Sequence, residues 1–264
     1  MYNFNYHRPA SLDEAANLLN QAEDGTVMAG GQTLLPTLKQ RLAQPSDVID
    51  LSGIADLRGI SVSGSAVVVG ALTRHAEVAG SSEVQSQIPA LAALASGIGD
   101  PQVRNMGTIG GSIANNDPAA DYPAAVVALG ATVTTSQREI AGDDFFTGMF
   151  ETALNEGEIV RSVSFPVVEK AGYAKFPNPA SRYAMVGVMV AKGAGGVRVA
   201  VTGAGPCVFR VAAMEEALAG NWSPDAVAGV SVSAEGLNGD IHGSAEYRAH
   251  LVTVMAKRAV EAAG

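Results

Sequence analysis

The chain has 264 residues, 47% of them hydrophobic and 16% charged, which supplies a packed core and lies far from the composition of a disordered chain. A formal charge of −9 argues against a sequence-independent grip on nucleic acid or anionic lipid. The single cysteine, Cys207, excludes an internal disulfide and any iron–sulfur or cysteine-type zinc site built from this chain alone.

The opening "MYNFNYHRPASLDEA" has no basic start and no long apolar run, so it does not read as a signal peptide. No apolar span of about 18 residues occurs, and a soluble cytosolic protein is the expectation. "SLDEAANLL" predicts a helix with a capping box, Ser11 as cap and Glu14 three residues on; Leu12, Ala15, Ala16 and Leu19 share one face. "TVMA" (26–29) reads as a strand, "GGQT" interrupts it, and "LLPTLKQRLA" (34–43) reads as a helix with Pro36 near its start. "DVIDL" (47–51) predicts a second strand. "GISVSGSAVVVGAL" (59–72) predicts a hairpin turning at "GS".

"LTRHAEVA" and "IPALAALASGI" read as helices, with Thr73 as the cap of the first and His75 as a surface or packing residue. After the small-residue stretch "GTIGGSIANNDPAADYP" (107–123), "PAAVVALGA" predicts a helix, "ATVTTSQREI" a hairpin and "EIVRSVSFPV" a strand. "FPVVEKAGYAKFPNPASRYA", rich in proline and turn formers, reads as a boundary. Beyond it lie two strands joined by a glycine-rich turn and three helices, at 210–219, 223–235 and 244–262. Small mixed units, with no regular βαβ alternation, make this an α+β chain.

Two glycine loops carry the chemistry. "AGGQT" (29–33) follows a strand and "TIGGS" (108–112) precedes a helix. Consecutive exposed N–H groups in such loops bind anions, and a helix start favours phosphate. Two of them suit a ligand with two phosphates held from two sides; taken singly, each also reads as a tight turn. Asp117 before Pro118 reads equally as a helix cap and as a polar ligand contact. Asp121, one turn on, reads as an acceptor for a ribose or adenine or as a cap. "VTGAGPCV" (201–208) imitates a dinucleotide fingerprint but has Val208 where the third glycine belongs. No P-loop is present, the four histidines do not pair at ligand spacing, and Cys207 reads as a packed side chain.

The chain resembles the FAD-binding medium subunit of molybdenum hydroxylases, the family of aerobic carbon monoxide dehydrogenase and xanthine dehydrogenase. The matching stretches run in order: "YHRPASLDEAANLL", "MAGGQTLLPTLKQRLAQPSDVIDLSGI", "IGDPQVRNMGTIGGSIANNDPAADYPAAVVALGA", "EIVRSVSFP", "GAGP" with "EEALAG", and "AEYRAHLVTVMAKRA". The resemblance implies an α+β flavin fold of the vanillyl-alcohol-oxidase (PCMH) type at 1–168, with subdomains at about 1–55 and 56–168. A smaller α+β C-terminal domain follows at 169–264. It implies one FAD, with the diphosphate against Ala29, Gly30, Gly31, Gln32 and Thr33 and against Thr108, Ile109, Gly110, Gly111 and Ser112. Asp121 then corresponds to an aspartate contacting FAD near its adenosine half, and Ile159 or Val160 to a backbone contact at the adenine end. At the flavin ring, one alignment gives Tyr183; the other looks for a lysine and offers Asn178, with Lys175 off register.

The implied activity is electron transfer. A large partner carries a molybdopterin-type molybdenum cofactor, a small partner carries [2Fe–2S] clusters, and FAD on this chain passes electrons to an external acceptor. A dimer of heterotrimers is implied, cytoplasmic, with partners able to bring it to the inner face of the membrane. Two other readings stand beside this one: a stand-alone FAD oxidoreductase with its own substrate, and a nucleotide-binding or scaffold protein without flavin.

Overall fold

The computed structural model describes every residue from Met1 to Gly264, as three main β-sheets and one two-stranded sheet, with helices packed against them. The first unit is a parallel sheet of order β1-β3-β2, from β1 (Asn5–His7), β2 (Gly25–Met28) and β3 (Asp47–Asp50). Parallel strands need crossovers, supplied by α1 (Leu12–Gln21) and α2 (Leu34–Lys39). Ser11 Oγ accepts the Glu14 N–H at 3.2 Å, while the Glu14 carboxylate accepts the N–H of Ala10 at 2.8 Å, one residue earlier than in a strict capping box. Ala15 of α1 is buried with Ile49 and Leu51. α2 ends before the expected Ala43, because the chain turns out at Arg41, whose φ is +59°.

The second unit is antiparallel. Its strands are β4 (Ile60–Ser63), β5 (Ala66–Gly70), β6 (Thr132–Thr135) and β7 (Glu139–Ala141). A small hairpin of β8 (Phe146–Gly148) and β9 (Glu151–Thr152) precedes the central strand β10 (Val160–Pro166), giving the order β4-β5-β10-β6-β7. Helices α3 (His75–Gly80), α4 (Ser82–Gln87), α5 (Pro89–Ser96) and α6 (Pro101–Arg104) follow β5; α7 (Ile109–Asn115), α8 (Tyr122–Ala128) and the short α9 (Gly142–Phe145) complete the unit. Leu91, Leu94, Tyr122, Val126, Val133 and Phe165 meet in its core. α3 is not capped by Thr73, as expected, but by Arg74; the Thr73 hydroxyl instead bridges the N–H and C=O of Gly59, each at 3.0 Å.

The third unit is an antiparallel sheet, order β11-β12-β13-β14, from β11 (Lys170–Pro177), β12 (Ala184–Gly193), β13 (Gly196–Thr202) and β14 (Phe209–Arg210). β11 falls inside the segment expected to be a boundary: its prolines sit at the strand end, and its alternation hides behind Gly172 and Lys175. Helices α10 (Ala212–Gly220), α11 (Pro224–Ala228) and α12 (Ala245–Ala263) follow. α11 is much shorter than the expected 223–235, since Gly229 caps it. β12 is buried on both faces, which explains its unbroken apolar run. Val186, Val188 and Val190 join Met255 and Ala259 of α12, while Met189 and Ala191 join the core of the second unit.

Candidate functional site

A cleft of about 910 Å³ runs between the first and second units, with Ser181 and Tyr183 of the third at its edge. That volume lies at the upper end of the usual range for cofactor sites, about 300–1,000 Å³. The β2–α2 turn forms one wall. The N–H groups of Gly30, Gly31, Gln32 and Thr33 donate to no atom of the protein, and Gly31 takes φ +69°. A run of free N–H groups in this conformation is an anion-binding nest.

The 108–112 turn is built differently. Thr108 caps α7, so the glycine pair lies inside the first helical turn and not ahead of the helix. The N–H groups of Ile109 and Gly110 go to the carbonyls of Thr73 and Ala71, and that of Ser112 to Thr108 O. Gly111 N–H goes to Thr108 Oγ1 at 3.2 Å. The expected second nest is therefore a close-packed wall. Glycine is required by neighbouring chain: a Cβ on Gly110 would come 2.5 Å from the Ala71 Cβ, and one on Gly30 would come 2.1 Å from Met106 O. Of the two glycines in this turn only Gly111 faces the cleft, where its Cβ would meet nothing closer than Thr108 Oγ1 at 3.0 Å.

Of the residues singled out in the sequence, Ala29 to Thr33, Thr108, Gly111 and Ser112 line the cleft, as do Asp117, Asp121, Ile159, Val160 and Tyr183. Ile109, Gly110, Lys175 and Asn178 do not. Asp117 caps no helix: its carboxylate accepts the Ala119 N–H at 2.8 Å in a tight turn, and the helix begins only at Tyr122. Ile159 donates its N–H to Ser136 Oγ and accepts the Ser136 N–H on its carbonyl, so its cleft-facing part is apolar.

At the far end, Asp121 Oδ1 takes the Tyr173 hydroxyl at 2.5 Å and the Lys175 ammonium at 3.0 Å; Oδ2 has no protein partner. Burial pushes the Asp121 carboxyl up, against the opposing pull of Lys175 and Tyr173. Lys175 also donates to Gly97 O and Arg182 O, and Asn178 donates to the Tyr183 hydroxyl at 2.8 Å. Lys175 and Asn178 thus brace the wall from behind. The loop they hold is strained, with Ser181 and Arg182 both at φ near +60°: +63° and +58°.

Sequence reasoning missed His75, Glu158, Leu51, Leu72, Ile98 and Val103, all in the lining. Glu158 is buried, which raises its carboxyl, but bonds from Arg138, the Asn155 N–H and Thr135 hold it below the usual carboxylate range. The cleft is lined by three acids, Asp117, Asp121 and Glu158, and by no lysine or arginine. An anion here is held by main-chain and neutral donors.

His75 is 5% exposed. Burial first, and Arg104 second, lower its pKa from 6.5 to about 4. The folded state therefore binds fewer protons than the unfolded one between those values, so stability rises with pH across that window. Acidification from about pH 6.5 to 4 is expected to remove about 3 kcal/mol through this group. Urea midpoints of the wild type and His75→Leu, measured across that range, should converge or cross as pH falls; a constant difference would show that the imidazole does not titrate as the structure requires.

A long cleft, a glycine turn with free main-chain donors and a lining without lysine or arginine suit a nucleotide-type cofactor met by main-chain donors. Comparison narrows the class. A family profile described as "FAD binding domain in molybdopterin dehydrogenase" matches residues 2–168, and one described as "CO dehydrogenase flavoprotein C-terminal domain" matches 172–263. The chain is 38% identical to the nicotine 6-hydroxylase medium subunit of Paenarthrobacter nicotinovorans, over 98% of this chain and 96% of the relative. It is 36% identical, with the same coverage, to the carbon monoxide dehydrogenase medium chain of Hydrogenophaga pseudoflava. Reconstituted CO dehydrogenase from Oligotropha carboxidovorans contains a chain that superimposes with a TM-score of 0.91 at 33% identity, covering 99% of this chain and 97% of the other. The chain belongs to the family of FAD-binding subunits of molybdopterin dehydrogenases.

Proposed function

We propose that this chain is the FAD-carrying electron-transfer subunit of a molybdenum-containing hydroxylase, fed by iron–sulfur clusters on a small partner and serving a molybdenum centre on a large one. The observation that carries the reading is the run of free N–H groups from Gly30 to Thr33 in a cleft with no cationic side chain. Bound FAD supplies reversible electron uptake and release. The chain's own residues position it and exclude water.

The 30–33 nest would hold the diphosphate, with Gly111 and Ser112 as the facing wall. Asp121 Oδ2 is the unbonded acceptor suited to a sugar hydroxyl, and Asp117 lies near it in sequence at the same wall. Ile159 and Val160 offer an apolar seat at the adenine end. Tyr183 would stand at the ring, with Lys175 and Asn178 as its supports. The division into a PCMH-type FAD domain at 1–168 and a C-terminal domain at 169–264 is favoured by the separate sheets and the family matches. No helix is long and apolar enough to cross a membrane; a cytoplasmic heterotrimer, paired as a dimer and reaching the inner membrane face only through partners, fits the reading.

Two substitutions test it. Gly111→Val should keep the fold if the Thr108 side chain gives by a few tenths of an ångström at its 3.0 Å contact, and it should fill the cleft. Pushing the diphosphate off one or two of its charge-assisted contacts with the facing 30–33 turn, about 1.5–3 kcal/mol each, weakens FAD binding roughly ten- to several-thousand-fold. Full flavin occupancy in a normally folded variant would place FAD elsewhere. Tyr183→Ala should shift the flavin absorption spectrum and reduction potential while FAD stays bound; an unchanged spectrum and potential would remove Tyr183 from the ring and turn attention to Lys175 and Asn178.

A further inference from the structure

His75 is the only basic side chain in the cleft lining, and nothing in the protein uses either of its ring nitrogens. Nδ1 is buried without a hydrogen-bond partner. Nε2 makes no bond either, and it lies against Gly107, where a Cβ would come within 2.6 Å of it. On the other side of the same strand of chain, Gly30 packs so closely that its Cβ would stand 2.8 Å from the Gly107 Cα. His75, Gly107 and Gly30 thus pack in succession, and all three line the cleft. The backbone pins it there: His75 N–H bonds Gly107 O at 3.0 Å, and the ring sits 5.4 Å from that of Tyr122. Nδ1 is the nitrogen shut away without a partner, and Nε2, which is not, is the one left for a ligand in the cleft.

We propose that His75 is a cofactor-contact residue whose Nε2–H donates to a diphosphate oxygen from the floor of the cleft, completing the nest formed by Gly30 to Thr33. The inference rests on the FAD reading above. Burial and the nearby Arg104 keep the free imidazole neutral, which leaves one N–H to give and suits a cleft whose other donors are also neutral. The role is that of one more donor on the anion, contributed by a helix that the glycine motifs do not include.

The test uses the assembled complex, stripped of FAD and titrated with FAD and, separately, with ADP, which carries the diphosphate without the flavin. His75→Leu removes the donor. His75→Gln places an amide N–H near the position of Nε2, and His75→Asn places one near Nδ1 only. His75→Leu and His75→Asn are expected to weaken both ligands about ten- to a hundredfold; His75→Gln should stay within about threefold of wild type. Thermal unfolding of each variant checks that the fold persists, and the Gln and Asn pair carries the comparison if the leucine variant does not fold. Unchanged affinity in His75→Leu or His75→Asn would overturn the proposal, as would weakening of FAD alone with ADP unaffected, or equal weakening in Gln and Asn. Wild-type complex that binds no FAD would overturn the functional reading itself, an outcome separate from all of these.

Discussion

Gly30→Val is expected to abolish FAD binding and to destabilise the protein. Its Cβ would lie 2.1 Å from Met106 O and 2.7 Å from that carbonyl carbon, so the β2–α2 turn must leave the 106–107 segment. Overpacking of this kind costs about 1–3 kcal/mol or more. Moving the turn also takes several N–H groups off the anion together, at about 1.5–3 kcal/mol each, a loss of affinity beyond about a hundredfold. Flavin stoichiometry and a urea titration measure the two parts. Gly80→Ala is the control, because a Cβ at Gly80 meets nothing within 4 Å, and it should leave both unchanged. A Gly30→Val protein with full flavin would mean that the turn is no cofactor wall.

Asp121→Leu is the second large effect. It leaves the Lys175 ammonium, 10% exposed, facing an apolar side chain, and orphans the Tyr173 hydroxyl. Breaking a buried pair by removing one partner costs about 3–5 kcal/mol. Because Lys175 also clamps Gly97 and Arg182, the strained 181–182 loop should loosen and Tyr183 with it. The double variant Asp121→Leu, Lys175→Met should regain much of the stability, since no charge is then left unpaired. Denaturant unfolding of the two single variants and the double gives the coupling; a single-variant loss below about 1 kcal/mol would show that the pair is not buried as described.

Much of the fold was legible because local signals and tertiary demands agree. Ser11, with Glu14 three residues on, marks α1, and the valine run of 66–70 and the alternation of 160–166 mark strands that are buried on one face. Elements governed by distant partners were hidden. β11 reads as a proline-bearing boundary, yet it pairs along β12 from Lys170 to Pro177. α2 and α11 carry helix-forming sequence past the points where Arg41 and Gly229 end them.

The glycine motifs located the cleft but not their own roles. From sequence, "AGGQT" and "TIGGS" look alike. The difference between a free nest and a bonded helical turn depends on Ala71 and Thr73, which lie far off in the chain. The sequence leaves His75 as a surface or packing residue; the structure buries it, and its place beside Gly107 comes from the pairing of Arg74 with Thr108. Lys175 and Asn178 are candidates for the ring because one alignment looks for a lysine there; in space they face Asp121 and the Tyr183 hydroxyl from behind the wall.

The central claim is that this chain carries FAD, held without a covalent bond. Acid precipitation of the assembled complex, followed by quantitation of flavin in the supernatant, tests it most directly. The account predicts one FAD per copy of this chain, all of it released. A correctly assembled complex that yields no flavin would contradict the reading of the cleft, and flavin that stays with the precipitate would contradict the backbone-held, non-covalent site.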